Sequence, residues 1–308
     1  HDEGSESGMI IHRPIPVEED GHPVRMDDLL RFYNNPVRWF FRRRFEAYLK
    51  EPDQESDEFS LDHLETHLLF QRVFGWMMND MSDRHIREYL TQSGSVPSGW
   101  AGEREVRDLK QNVKTALSAL RGFGIIPAQN FYPVSLSIGT HQLEGGLTSY
   151  SQNRYADISP SGYSGKAALS SWIGHLCAQA ADLFEEKESI LFCELKKGDP
   201  KAKRFRAVED PSQILTEMIN LYKLGLKEPQ HFFPKTLYAY EESVRAGKTE
   251  EAMSKAAGEF NSSDFKFGES SDLYIKTVLG EDVEFRPEFI EDADRKIIGR
   301  MMDHLEDG

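Results

Sequence analysis

Glu194-Leu195-Lys196 spells an acid-x-lysine triplet. In a metal-dependent nuclease such a carboxylate holds Mg²⁺ and the ammonium positions the attacking water. Here the triplet closes an apolar run, Ile190 to Leu195, and leads into a basic turn. In a chain with 29% charged residues it reads as a strand end. His63 and His67 are four apart and would share a helix face, but residue 64 is Leu where a zinc-protease helix needs Glu. The ten His make no metal pattern, and Cys177 and Cys193 are too few for a four-Cys zinc or iron–sulfur site. No G-x-x-x-x-G-K-[ST] run is present, so ATP hydrolysis is not expected of this chain.

Phosphate contact is the other chemistry on offer. Lys196, Lys197, Lys201, Lys203, Arg204 and Arg206 crowd into residues 196–206 with Asp199 as the one acid. Arg38, Arg42, Arg43 and Arg44 fall within residues 25–44, which hold six Arg and two Asp. The chain as a whole is the reverse: 37 Lys and Arg against 52 Asp and Glu in 308 residues give −15. That balance argues against a freestanding nucleic-acid binder. Screening over ~8–10 Å still lets a local basic surface guide DNA. The Arg helix is followed by eight acids in residues 45–65, which can pair with its guanidiniums, and residues 280–308 hold ten acids against four bases. The 196–206 turn has fewer internal partners and is weighted slightly higher for phosphate contact. Tyr33, Phe40, Phe41, Phe45 and Tyr48 could stack bases, but their helical spacing makes them a core face, with Trp39 off it.

These residues need elements to hold them. Residues 1–24 are polar and aperiodic and read as a linker or flexible arm; the start at His1 without Met suggests a piece of a longer polypeptide or a processed chain. Residues 25–122 read as helical: a pair broken at Asn34-Asn35-Pro36, then helices over 60–78, 83–92 and 102–121. Residues 130–230 read as an α/β core. Val134, Leu136 and Ile138 alternate with polar residues, shorter strands fall at 141–147 and 155–159 around Gly145-Gly146, and an amphipathic helix spans 166–184. Strands 190–195 and 204–208 follow, then a helix from Pro211 to Gly225. Residues 231–308 are helical again, with a loop at 261–271. One mixed sheet from 131–160 and 189–208, packed on the 166–184 helix and wrapped by N- and C-terminal helices, is the predicted architecture. No apolar run nears the ~18 residues of a bilayer span, no signal peptide is recognisable, and a cytoplasmic protein is expected.

Met-Asp-Asp-Leu-Leu-Arg-Phe-Tyr-Asn-Asn-Pro-Val-Arg-Trp-Phe-Phe-Arg-Arg-Arg-Phe, residues 26–45, resembles the helix pair that opens the C-terminal domain of the exodeoxyribonuclease V gamma subunit (RecC) family. Further blocks follow in order: Ser95-Val96-Pro97-Ser98-Gly99, Gln142-Leu143-Glu144-Gly145-Gly146-Leu147 in a β-turn-β position, and Leu169-Ser170-Ser171-Trp172-Ile173-Gly174-His175-Leu176. Leu221-Tyr222-Lys223-Leu224-Gly225-Leu226 and Lys255-Ala256-Ala257-Gly258-Glu259-Phe260 complete the series, which spans roughly residues 26–300.

The resemblance implies a decayed PD-(D/E)XK nuclease-like core at 25–308. It also implies a RecB-like beta subunit and a RecD-like alpha subunit as partners, with a duplex DNA end or single strands within the complex. An active site of that fold needs an Asp on one strand and D/E-x-K on the next. Here Asp157-Ile158-Ser159 puts Ser where Lys belongs, and Glu144 is the other remnant acid. The resemblance therefore implies no catalytic residue, no metal and no cofactor, and a non-catalytic assembly and DNA-guiding role in double-strand break repair and DNA end processing. An active metal-dependent nuclease with migrated site residues and a pure subunit-interaction module are the competing expectations. Related nucleases with an iron–sulfur staple carry Cys near the first helix pair, where this chain has Asn35 before Pro36.

Overall fold

The structure is a computed structural model that describes residues 14–16, 22–49, 63–97, 99–160, 162–195, 200–263, 267–290 and 292–308. Five helices come first after a two-residue strand: β1 (Val24–Arg25), α1 (Met26–Asn34), α2 (Pro36–Phe45), α3 (His63–Met78), α4 (Asp83–Gln92) and α5 (Trp100–Gly122). The Asn-Pro break works as its chemistry predicts. Asn35 ends α1, and its side-chain oxygen accepts from the Arg38 amide (2.9 Å) to cap α2, with Pro36 in the first turn.

Strands β2 (Pro127–Ile138) and β3 (His141–Ser151) form an antiparallel hairpin, with β1 parallel to β3 on its other side. The turn is Gly139-Thr140, with Gly139 at φ 57°, the sign that a two-residue hairpin loop requires. Gly145 and Gly146, expected at a turn, lie inside the continuous strand β3. A Cβ on Gly145 would sit 2.5 Å from Met26 Cβ, and one on Gly146 would sit 2.1 Å from the Phe131 ring. They let α1 and an aromatic ring press on the strand.

The single mixed sheet expected from the sequence is instead two sheets. The second has the order β4 (Ala156–Ile158), β5 (Ser189–Cys193), β6 (Lys201–Phe205), β7 (Leu305–Asp307). Strands β4 and β5 are parallel, connected by α6 (Gly165–Ala180); the other pairs are antiparallel. A side chain joins the sheets where the β3 ladder stops. Buried Ser149 Oγ accepts from the Ala156 and Ser151 amides (3.1 and 3.3 Å) and has the Arg154 and Ser151 carbonyls at 3.0 and 3.1 Å.

Helix α6 ends at Ala180, earlier than expected, because Asp182 turns left-handed (φ 51°) and Leu183 N bonds back to the Ala178 carbonyl. Helices α7 (Pro211–Gly225), α8 (Pro234–Arg245), α9 (Thr249–Phe260), α10 (Leu273–Leu279) and α11 (Asp292–His304) follow. Three apolar clusters result: α1, α6, α7 and α8 against the hairpin; α3 to α5 against β4 and β5; and α2 with Phe233, α9 and α10.

The aromatic stripe is only partly core. Glu46 takes a left-handed conformation and ends α2 at Phe45, so Phe45 and Tyr48 are exposed while Tyr33, Phe40 and Phe41 are buried. Trp39, expected off the core face, is buried on the opposite side of α2 against Phe32 and Tyr222 (ring centroids 5.8 and 4.8 Å). Two neighbouring clusters flank α2, so one apolar stripe was too simple a criterion. Among the described residues no helix is long and apolar enough to cross a membrane.

Candidate nucleic-acid interface

Glu144 and Asp157, the two acids singled out in the sequence, sit on different sheets. Glu144 is exposed on β3, opposite Ser135 on one side and Arg25 on the other. Asp157 is half-buried on β4 and accepts from the Ile158 amide (2.8 Å). Strand β4 meets β3 at Ser149, and Glu144 is about 17 Å of strand away from that point at ~3.3–3.4 Å per residue. The groups acting on Tyr150 and Tyr155 place both near Asp157: burial first, then the Asp157 charge, holds these phenols far above the ordinary range. Ser159, in the position a lysine would need, donates its hydroxyl to the Gly162 carbonyl (2.7 Å). Glu194 turns left-handed (φ 60°) and pairs with Lys201 (3.2 Å), while Lys196 lies outside the described residues. The side chains of His63 and His67 are likewise outside them.

The basic strand is neutralised by a strand that the sequence reading missed. Lys196 and Lys197 are outside the described residues, but Lys201, Lys203, Arg204 and Arg206 are placed. Strand β7 adds to the open edge of β6 and brings acids with it. Lys203 pairs with Asp307, Arg204 with Glu306 and Glu188 (3.9 and 3.7 Å), and Arg206 with Glu306 (2.9 Å). The hydrogen bond from Lys203 holds the Asp307 carboxyl below its usual range. The sequence argument that this segment has few internal partners is therefore overturned. Glu188 and Glu194 are near in sequence, but Glu306 and Asp307 come from about a hundred residues away, and Leu-Glu-Asp is too short and too acidic to read as a strand.

The arginine helix is compensated less. Arg38 pairs with Asp272. Arg42 lies over two rings, 5.4 Å from the Tyr48 centroid and 5.7 Å from that of Tyr274, and its Nε donates to the Tyr274 hydroxyl (3.3 Å). Arg43 is exposed and has no ion pair among the described residues. Arg44 donates to the Pro16 carbonyl (2.9 Å). Most of the acids at 46–65 lie outside the described residues, so the pairing expected with them is not described.

Helix α2 forms one wall of a groove of about 460 Å³, whose other walls are the start of α8, Lys166 on α6 and the segment from Phe267 to Ile275. Two carboxylates organise it. Asp272 caps α10 through the Tyr274 and Ile275 amides (3.0 and 3.4 Å) and accepts from Asn35 (3.0 Å). Buried Glu269 accepts from the Thr236 amide and hydroxyl (both 2.9 Å), so it caps α8, whose own N-cap, Phe233, has no side-chain acceptor. The Lys166 ammonium is 3.9 Å from Glu269. Burial lowers the Lys166 pKa and raises that of Glu269, each against the pull of the other. Lys166, Lys235, Glu269 and Asp272 were not singled out in the sequence. No local spacing marks a helix cap supplied 33 residues downstream.

A family model described as the RecC C-terminal domain matches residues 21–245. The chain belongs to the RecC C-terminal domain family. It is similar to "RecBCD enzyme subunit RecC" of Mycolicibacterium smegmatis, 24% identical over 240 residues, which is 76% of this chain and 22% of that relative. The subunit of the same description from Mycobacterium tuberculosis is 25% identical over 243 residues (76% and 21%), and that from Escherichia coli is 24% identical over 223 residues (69% and 19%). The chain thus spans about a fifth of the length of these curated relatives. The RecC family match contains α2, β6 and the start of α8. It stops short of Glu269, Asp272 and β7, so one wall of the groove and the acidic strand lie beyond it.

Proposed function

We propose that this chain is a non-catalytic assembly and DNA-guiding domain of a RecBCD-type helicase–nuclease (exodeoxyribonuclease V), acting in the cytoplasm in double-strand break repair and DNA end processing. Its partners are a RecB-like beta subunit, a RecD-like alpha subunit and the DNA between them. Family membership supports the complex; Ser159 carries the non-catalytic part. The order α5, β2, β3, β4, α6, β5 supports a decayed PD-(D/E)XK-like core, with Asp157 on the strand that would bear the D/E-x-K motif. Its lysine position is a serine engaged with Gly162, and Glu144 is far along a different strand. The DNA-facing surface in this reading is the α2 side, where Arg42 and Arg43 are least compensated.

The test has two arms. The purified chain, incubated with Mg²⁺ or Mn²⁺, should leave single- and double-stranded DNA intact; cleavage abolished by Glu144→Ala or Asp157→Ala would restore the active-nuclease reading. In the assembled complex, Arg42→Gln with Arg43→Gln should slow unwinding and flatten its salt dependence. A subunit-interaction module without DNA contact is the second reading, favoured by Trp100 at the start of α5, 78% exposed. Trp100→Ala would then block assembly while the Arg substitutions change nothing.

A further inference from the structure

The groove beside α2 is lined by more cations than carboxylates: Arg38, Arg42, Lys166 and Lys235 against Glu269 and Asp272. Asp272 is engaged by Arg38, Asn35 and the α10 amides, and Glu269 by the α8 amides and the Thr236 hydroxyl. Among the described residues that leaves Arg42 and Lys235 lining the groove with no ion pair, while Lys166 shares Glu269 at 3.9 Å, within ion-pair reach but beyond hydrogen-bonding distance. The Arg42 guanidinium is already oriented by Tyr48 and Tyr274, which lowers the ordering cost of presenting its fork to a phosphate. Phe267 lines the same groove and is 79% exposed, an apolar side chain turned to water. At about 460 Å³ the groove is the size of a small-molecule site, about 300–1,000 Å³.

We propose that this groove binds a single nucleotide unit, its phosphate against Arg42, Lys166 and Lys235 and its base against Phe267. The inference rests on the DNA-guiding reading only for the source of the ligand, since a strand nucleotide and a free nucleotide offer the same chemistry. An acidic side chain would meet the cations but leave the Phe267 ring uncovered. A bare phosphate would do the same.

Calorimetric titration of the full chain with 2′-deoxyadenosine 5′-monophosphate, 2′-deoxyadenosine and inorganic phosphate tests this. The nucleotide should bind about tenfold or more tightly than either half alone. Arg42→Gln and Lys235→Gln should each weaken nucleotide and phosphate alike by about tenfold. Phe267→Ala should weaken the nucleotide by about tenfold and leave phosphate unchanged. All three side chains are at the surface of the groove, so these variants report binding even where Lys166→Met fails to fold. Equal affinity for phosphate and nucleotide, displacement by a polyglutamate peptide as effective as by the nucleotide, or nucleotide affinity unchanged in both Arg42→Gln and Phe267→Ala would overturn the proposal. A single-stranded dT oligonucleotide that displaces the nucleotide makes the strand the ligand; one that does not makes it a free nucleotide. Strand binding without nucleotide binding would sink this inference and leave the DNA-guiding reading standing. Nucleotide binding without strand binding would do the opposite.

Discussion

Helix α2 and the β6 segment through Arg206 each present four described bases, and from sequence the β6 segment looked the more available. In the structure Asp307, Glu306, Glu188 and Glu194 each lie within ion-pair distance of a base of the β6 segment. On α2 the acids are fewer and already engaged in capping helices, and Arg42 rests on rings instead of a carboxylate. Local charge counts therefore say little about field. What matters is whether the acids that arrive by tertiary contact have another task.

The largest effect should come from the acid that shapes the α2 side. Glu269→Ala removes the α8 cap and leaves Lys166 without its nearest counterion. A helix cap contributes about 1 kcal/mol, and leaving the buried Thr236 amide and hydroxyl unpaired costs about 1–3 kcal/mol more, so a marked fall in Tm is expected by calorimetry. An unchanged Tm would show that the two regions are equally superficial. Next, Arg42→Gln with Arg43→Gln should weaken single-stranded DNA binding by about tenfold and reduce the salt slope by about two, measured by anisotropy across a salt series. The matching change on β6 runs the other way: Glu306→Gln with Asp307→Asn should raise DNA affinity by a few-fold while leaving Tm unchanged, since exposed ion pairs contribute about 0–1 kcal/mol. If both regions weaken DNA binding on losing bases and neither gains on losing acids, the contrast between them fails.

The last effect is one of pH, accumulates only on acidification, and concerns the support beneath β6. His175 is buried on α6 between Trp172 and Phe205, its ring nitrogens 2.6 Å from Ser189 Oγ and Gln179 Nε2, and burial lowers its pKa to about 3. A His with a folded pKa below its unfolded value of 6.5 favours folding fully above that value and progressively less below it. Stability should thus drop between pH 6.5 and 3, by up to about 1.4 kcal/mol per pH unit. His175→Gln should flatten that part of the Tm profile.

Elements with a local cause were legible in the sequence: the Asn35-Pro36 break, the Pro211 to Gly225 helix and the alternation from Val134 to Ile138. Those fixed by distant partners were not. Trp39 packs on a helix about 180 residues away, β7 pairs with the edge that β6 offers, and the Ser149 hydroxyl joins two sheets at a point no local spacing marks. The charge of the candidate site was misjudged for the same reason: Glu269 and Asp272 acquire their roles only when α8 and α10 meet α2.

The pairing of β6 with β7 also bears on the order of folding. Lys203 and Asp307 are 104 residues apart, whereas Cys193 and Lys201 in the preceding hairpin are 8 apart. Closing the longer loop costs about 2 kcal/mol more in chain entropy. The β5–β6 hairpin should therefore form well before its outer edge is covered, and for that interval β6 is a bare strand that another unfolded copy could extend. Lys201 and Lys203 share one face of that strand and Arg204 lies on the other, and their repulsion of an identical strand would hinder such pairing. On this view the bases of β6 protect the chain while it folds, and the acids of β7 quiet them once it has.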